Sequence, residues 1–209
     1  MFARTTIAAF LDELASSSPA PGGGSVAALA GALGAALTSM VCNLTIGKKK
    51  YTGVEADMRK VLNVSENLRL KFSTLAEEDT AAFNKVMEAR ALPRDNDAQK
   101  VLRSAAIEEA TKEATLVPLE VMKHCIDALA LAREVAEKGN ANSLSDAGVS
   151  ALMLHAACEG ASLNVKINLR GVTDTEFFGW KSEEVESLLK TSRLMAEKTQ
   201  LIVTEKMRQ

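Results

Sequence analysis

The sequence predicts an all-α fold, a single-domain bundle of long helices spanning residues 1–209, and three observations predict it. Apolar residues recur at spacings of three and four through almost the whole chain, the repeat of an amphipathic helix. No stretch alternates with the period of two that a half-buried strand shows. Aromatic residues make up only 4% of the chain and alanine is abundant, which favours close helix packing over sheets. With 47% hydrophobic residues, a chain of this length can bury a core of its own.

Ile7, Phe10, Leu11 and Leu14 share one face of a first helix, expected over residues 5–16. With Asp12 and Glu13 inside it, the stretch from Met1 reads as an amphipathic helix and not as a signal peptide. Pro19-Ala20-Pro21-Gly22-Gly23-Gly24 cannot continue that helix, because proline blocks the hydrogen-bond ladder and three glycines free the backbone. Ser25 is placed to cap a second helix reaching about residue 46. Its small residues Ala27, Gly31, Ala35 and Ser39 recur every four positions, so another helix can approach closely, at the centre of a bundle or at a subunit interface. Residues 25–47 carry no charge and are long enough to span a bilayer. Alanine, glycine, Ser39, Asn43 and Thr45 gain little from lipid, however, so a buried central helix is expected and no membrane.

Residues 47–53 form a loop holding Lys48, Lys49, Lys50 and Tyr51. A long helix is expected over 55–90, a polar break at 93–97, and a second long helix over 98–138 that Pro118 should kink or divide. Gly139-Asn140 stops it. Ser145 or Asp146 then caps a helix to about 170, which Gly171 ends. Thr173 to Glu176 has capping-box spacing for a short turn, and a last helix is expected over 182–207.

The formal net charge of −2 leaves no basic excess to neutralise phosphates, which argues against a nucleic-acid partner. Cys42, Cys125 and Cys158 are odd in number and widely spaced, without a CxxC or Cys/His cluster. Neither a disulfide framework nor a metal site is expected, and small buried thiols in a reducing, cytoplasmic setting are. His124 and His155 lie in apolar surroundings without companions at metal-ligand spacing.

Three features exceed a purely structural bundle. The glycine loop before a helix either serves as a flexible turn or brings backbone N–H groups and a helix N-terminus to a ligand. It is neither a Walker A motif nor a dinucleotide fingerprint. Asp79 interrupts the apolar stripe Leu68, Phe72, Leu75, Phe83, Val86. A carboxylate there is costly unless paired, so it marks either a structural ion pair or a functional site. Asn164 and Asn168 lie one turn apart, able to bind a polar ring edge or to link helices. Asp146 lies about 27 Å from Asn164 if their helix is continuous, too far for one small site within a subunit unless the ligand is long or subunits interleave.

Taken together, Pro21-Gly22-Gly23-Gly24-Ser25, Asn43-Leu44-Thr45, Lys48-Lys49-Lys50-Tyr51, Glu78-Asp79 with Ala82-Phe83, the run from Gly139-Asn140 to Ser145-Asp146, and Asn164 with Ile167-Asn168-Leu169 resemble one family. It is the formiminotransferase-cyclodeaminase C-terminal domain family, which includes stand-alone bacterial methenyltetrahydrofolate cyclohydrolases. The resemblance implies an elongated helical homodimer with a tetrahydrofolate site in a groove at or near the subunit interface. It implies that Pro21, Gly22, Gly23, Gly24, Ser25 and Asn43 contact the ligand. Lys48, Lys50 and Tyr51 would hold its aminobenzoyl ring or a glutamate tail, extended where the substrate is polyglutamylated, and Asn164 and Asn168 would shape the pocket. Two reactions are implied: a cyclohydrolase opens 5,10-methenyltetrahydrofolate to 10-formyltetrahydrofolate, and a cyclodeaminase closes 5-formiminotetrahydrofolate with loss of ammonia. Both pass through a tetrahedral carbon between N5 and N10, with proton transfer and neither a metal nor a cofactor beyond the folate. A carboxylate suits that work, Asp79 first and Asp146 second. The cyclohydrolase is the expected activity, since no formiminotransferase segment accompanies the domain. A non-catalytic folate-binding or scaffold module is the reading from another class.

Overall fold

The computed structural model describes residues 5–208; residues 1–4, which open the stretch expected to be helical from Met1, and Gln209 lie outside the described residues. Among those described there are six α-helices and no strand: α1 (Ile7–Leu14), α2 (Gly23–Thr45), α3 (Glu55–Ala91), α4 (Asp97–Lys138), α5 (Leu144–Leu169) and α6 (Thr175–Met207). Helix α2 is the central element. Ala27, Gly31, Ala35 and Ser39 are all buried, and the missing side chains set the helix spacing. A Cβ on Gly31 would lie 2.7 Å from the Phe72 ring of α3, and one on Gly34 would lie 2.6 Å from Leu154 of α5. Two glycines on two faces therefore let two neighbours close on one helix. The hydroxyls buried with them are paired: Ser39 Oγ with Ser65 Oγ at 2.8 Å, and Thr38 Oγ1 with Ser150 Oγ at 2.9 Å. By length and composition α2 could cross a membrane, but most of its apolar stretch is buried against α3, α4 and α5.

The core runs from Phe72, Leu75, Leu119, Met122 and Leu154 at one end to Val41, Met58 and Val135 at the other. All three cysteines are buried and free; burial pushes the Cys158 thiol up to about 11 and Cys125 well above its ordinary value. They pack as small hydrophobes, as expected.

Several boundaries differ from the sequence reading. Helix α1 is shorter, capped by the Thr6 side chain, and buries none of its residues; Ile7 stays 80% exposed. Gly22 and not Ser25 stands at the N-cap of α2, and Ser25 is a fully buried third helical residue. Pro118 does not divide α4, which continues through it. Neither Ser145 nor Asp146 caps α5: Ser143 holds that position and Asp146 lies in the first turn. Asp174, not Thr173, caps α6, accepting from the N–H groups of Glu176 and Phe177, so the expected short turn and last helix are one element. Gly139 does end α4, where a Cβ would fall 2.5 Å from the Val135 carbonyl and 2.7 Å from Val41.

Candidate active site

The start of α2 meets the middle of α3 and the C-terminal half of α5 around a cavity of about 310 Å³. Gly22, Gly23 and Gly24 form one wall, Asp79, Phe83, Val86, Met87 and Arg90 of α3 the second, Asn164, Ile167 and Asn168 of α5 the third, with Ala114 of α4 beneath. The volume is at the lower end for a small-molecule site.

Asp79 is placed by the glycine it touches. A Cβ on Gly24 would lie 2.1 Å from Asp79 Oδ1 and 2.6 Å from Oδ2, so only glycine lets the carboxylate rest on the α2 backbone. Ser25 Oγ donates to Asp79 Oδ2 at 3.0 Å and is also 3.2 Å from Thr80 Oγ1. Gly22 gives α2 no side-chain cap, so the carboxylate of a neighbouring helix stands where an N-cap oxygen belongs, at the positive end of the helix dipole. Burial pushes the Asp79 carboxyl above its ordinary range, while the Ser25 hydroxyl and backbone N–H pull it back in part. Within the cavity, Asp79 is a carboxylate that burial inclines to hold a proton and that hydrogen bonds keep able to release it, the property a proton-transfer group needs. The structural ion pair weighed for it is not formed: its partners are hydroxyls and an N–H.

The two asparagines differ in what they do. Asn164 Nδ2 donates to the Gly160 carbonyl one turn back at 2.9 Å, and the same carboxamide lies against Gly23. Asn168 Nδ2 donates at 2.9 Å to the Ala114 carbonyl of α4, four residues before Pro118. Proline has no N–H to give that carbonyl, so Asn168 replaces the bond α4 lacks and holds α5 to it.

The remaining candidates lie elsewhere. Pro21 is buried and Ser25 stands behind Asp79, so neither lines the cavity. Asn43, Lys48, Lys50, Tyr51 and Asp146 lie at the other end of α2, whose 23 residues span about 34 Å. Asn43, Lys48 and Lys50 are exposed there and Asp146 half-buried. Tyr51 is engaged in a structural knot: its hydroxyl donates to Asn140 Oδ1 at 3.3 Å and accepts from the Ala141 N–H at 2.9 Å, while Asn140 Nδ2 holds the Leu44 carbonyl. Lys50 and Tyr51 line a depression of about 610 Å³ with Asn142, Ser145 and Lys206. A single chain therefore does not bring the two groups of candidates together, for the reason of helix length that already separated Asp146 from Asn164.

Arg90, Met87 and Thr80 were not singled out in the sequence, although Arg90 extends the stripe of Asp79, Phe83 and Val86 by one further step of four. A groove of about 640 Å³ between α5 and α6, around His155 and Arg193, is more open, and its Glu159 is more exposed than Asp79 and faces Arg193. No group of three or more His, Cys, Asp or Glu side chains among the described residues is arranged to hold a metal ion.

Known proteins resemble this chain over most of its length. A methenyltetrahydrofolate cyclohydrolase of Methylorubrum extorquens is 51% identical over 189 residues, covering 90% of this chain and 91% of that protein. The formimidoyltransferase-cyclodeaminase of Mus musculus is 34% identical over 192 residues, covering 92% of this chain but 36% of that larger protein. The crystal structure of formiminotetrahydrofolate cyclodeaminase from Thermotoga maritima superimposes with a TM-score of 0.88 at 32% identity, covering 98% of both chains. Residues 6–187 match the family model described as formiminotransferase-cyclodeaminase, and the chain belongs to that family.

Proposed function

We propose that this protein is a methenyltetrahydrofolate cyclohydrolase that hydrolyses 5,10-methenyltetrahydrofolate to 10-formyltetrahydrofolate, with Asp79 as its proton-transfer group. The observation that carries the reading is Asp79 itself, a half-buried carboxylate on the wall of a cavity otherwise lined by glycine backbone, apolar side chains, two carboxamides and Arg90. Its negative charge stabilises the methenyl cation as water approaches. It accepts a proton as the water oxygen bonds to the methenyl carbon, then returns one to N5 as the C–N5 bond breaks, while the carbinol proton leaves to solvent. Asn164 and the free N–H groups of Gly23 and Gly24 are placed to orient the pterin.

The choice over a cyclodeaminase rests on likeness. The relative named a cyclohydrolase is 51% identical, against 34% for the mouse protein and 32% for the Thermotoga maritima structure. The formiminotransferase segment does not decide it, because the Thermotoga maritima protein, named a cyclodeaminase, matches over 98% of both chains.

The same reading includes a homodimer. Val26, Leu33, Met40 and Leu44 run along α2, and Leu152, Leu163 and Ile167 along α5, all exposed. An apolar face of this length on two packed helices fits a second copy. A partner lying antiparallel on it brings its own Asn43, Lys48, Lys50 and Tyr51 toward the glycine-loop end, which gives those residues a route to a polyglutamylated substrate.

Purified protein mixed with 5,10-methenyltetrahydrofolate, followed by loss of the methenyl chromophore, tests the activity, with 5-formiminotetrahydrofolate and ammonia detection in parallel. Hydrolysis of the first without ammonia from the second is expected. Ammonia release with little hydrolysis moves the assignment to the cyclodeaminase, and inactivity on both with no folate binding overturns the reading.

A further inference from the structure

Arg90 stands in the cavity without a carboxylate to hold it. It shares one face of α3 with Asp79, Phe83 and Val86 and lies eleven residues, about 16 Å, further along the helix. Its side chain enters neither an ion pair nor a hydrogen bond among the described residues; its backbone carbonyl accepts from the Arg103 guanidinium at 2.9 and 3.1 Å. Glu113 nearby is taken by Lys85 at 2.9 Å. Helix α2 has no charged residue, and the cavity residues from α4 and α5 are neutral. The cavity is thus polar in a graded way. It has a half-buried carboxylate at one end, Phe83, Val86, Met87 and Ile167 along the middle, and an unneutralised guanidinium at the other end.

That gradient fits a ligand with a cationic ring at one end, a flat apolar segment and an anionic terminus. We infer that Arg90 is a substrate-binding residue that receives the carboxylate of the glutamate tail while Asp79 faces the methenyl carbon. The inference rests on the tetrahydrofolate reading above, and it moves the first glutamate away from Lys48 and Lys50. Arginine is suited to the task because its planar fork binds a carboxylate with two parallel bonds. An unpaired cation at the mouth of a site also speeds the approach of an anionic substrate, in a manner that salt screens.

The test compares 5,10-methenyltetrahydrofolate with 5,10-methenyltetrahydropteroate, which lacks the glutamate. Arg90→Gln is expected to raise KM for the folate about tenfold with kcat nearly unchanged, to leave KM for the pteroate compound as in the wild type, and to flatten the salt dependence of kcat/KM. Arg90→Lys should recover part of the loss. An unchanged KM for the folate overturns the inference, as does an equal loss on both substrates. So does a loss in Lys50→Gln with none in Arg90→Gln. Calorimetric binding of tetrahydrofolate reads Arg90 independently of turnover: weaker binding by Arg90→Gln supports its role and equal binding overturns it. A wild-type protein that binds folate but hydrolyses nothing counts against the cyclohydrolase reading alone.

Discussion

Asn168 Nδ2 donates at 2.9 Å to the Ala114 carbonyl that Pro118 leaves without a helical partner. Of the two roles the sequence left open for Asn168, a polar contact in a pocket and a link between helices, the second is formed: it repairs α4 and holds the floor of the cavity to its third wall. Asn168→Ala should cost about 1–3 kcal/mol, since it strands a carbonyl in a buried position. Pro118→Ala restores an N–H at that position, so in its background the cost of Asn168→Ala should shrink, giving a coupling of about 1 kcal/mol or more in a double-mutant cycle by urea unfolding. Additive effects of the two substitutions would show that the bond does not serve this purpose.

Asp79→Asn separates catalysis from stability. Burial raises the Asp79 carboxyl in the fold, so the fold favours its protonated form, and its favourable contribution fades as pH rises through that raised value. The uncharged amide keeps an oxygen to accept from Ser25. At pH 7 the variant should melt at or above the wild-type temperature, the gap closing as pH falls toward the ordinary aspartate range, while turnover drops about 10²–10⁴-fold with folate binding retained. A variant that melts lower at pH 7 and still turns over would make Asp79 a helix cap and nothing more.

Ser25 tunes that carboxyl. Its hydroxyl donates to Oδ2 and, with its backbone N–H, draws the Asp79 carboxyl down against the effect of burial. Ser25→Ala removes the hydroxyl, so the carboxyl should rise further. Activity that needs ionised Asp79 then appears only at higher pH: the acid limb of kcat/KM moves upward and the plateau at high pH is kept. An acid limb in its wild-type place would show that Asp79 does not govern it. Thr80→Val, which takes away the hydroxyl beside Ser25 Oγ, should move the limb the same way by less.

The helices were legible in the sequence because each repeats its apolar residues at helical spacing, and Asp79 was legible because it breaks such a repeat. The small residues of α2 likewise foretold its central place. What Ser25 does was not legible: a serine after glycines reads as a local cap, and only the packing of α3 on α2 reveals a carboxylate from another helix in the capping position. Arg90 was hidden for the opposite reason. An arginine near a helix C-terminus satisfies ordinary helix electrostatics, so its place on the Asp79 stripe raised no conflict. The spread of Lys48, Tyr51 and Asp146 from the glycine loop follows from 1.5 Å per residue, and periodicity alone does not say which copy of the chain bridges it.

Gly23 and Gly24 are neighbours with opposite tolerances. A Cβ at Gly23 meets Asn164 at 3.6 Å, ordinary contact, whereas one at Gly24 meets Asp79 Oδ1 at 2.1 Å. Gly23→Ala should leave kcat within about tenfold and raise stability by up to about 1 kcal/mol, the helix-propensity gain of alanine. Gly24→Ala makes the same gain but drives the Asp79 carboxylate off its seat, and a displacement of that size costs about 10²-fold in kcat/KM. Equal kinetic effects of the two substitutions would mean that Asp79 acts from some position other than the one Gly24 gives it.

The uncovered face of α2 and α5 supplies the last test. Leu33 is 58% exposed midway along α2. In a monomer, Leu33→Lys places a charge in water and should change stability by less than about 0.5 kcal/mol. In a dimer closed across that face, the same lysine is buried without a partner, and association fails. Sedimentation equilibrium should give the wild type twice the chain mass and Leu33→Lys the single-chain mass, with the helical circular dichroism of both alike. If Asn43, Lys48 and Tyr51 reach the glycine-loop cavity from the partner, the monomeric variant should also lose affinity for polyglutamylated substrate more than for the monoglutamate. A wild type of single-chain mass would remove the dimer, and with it the route by which those residues reach the cavity.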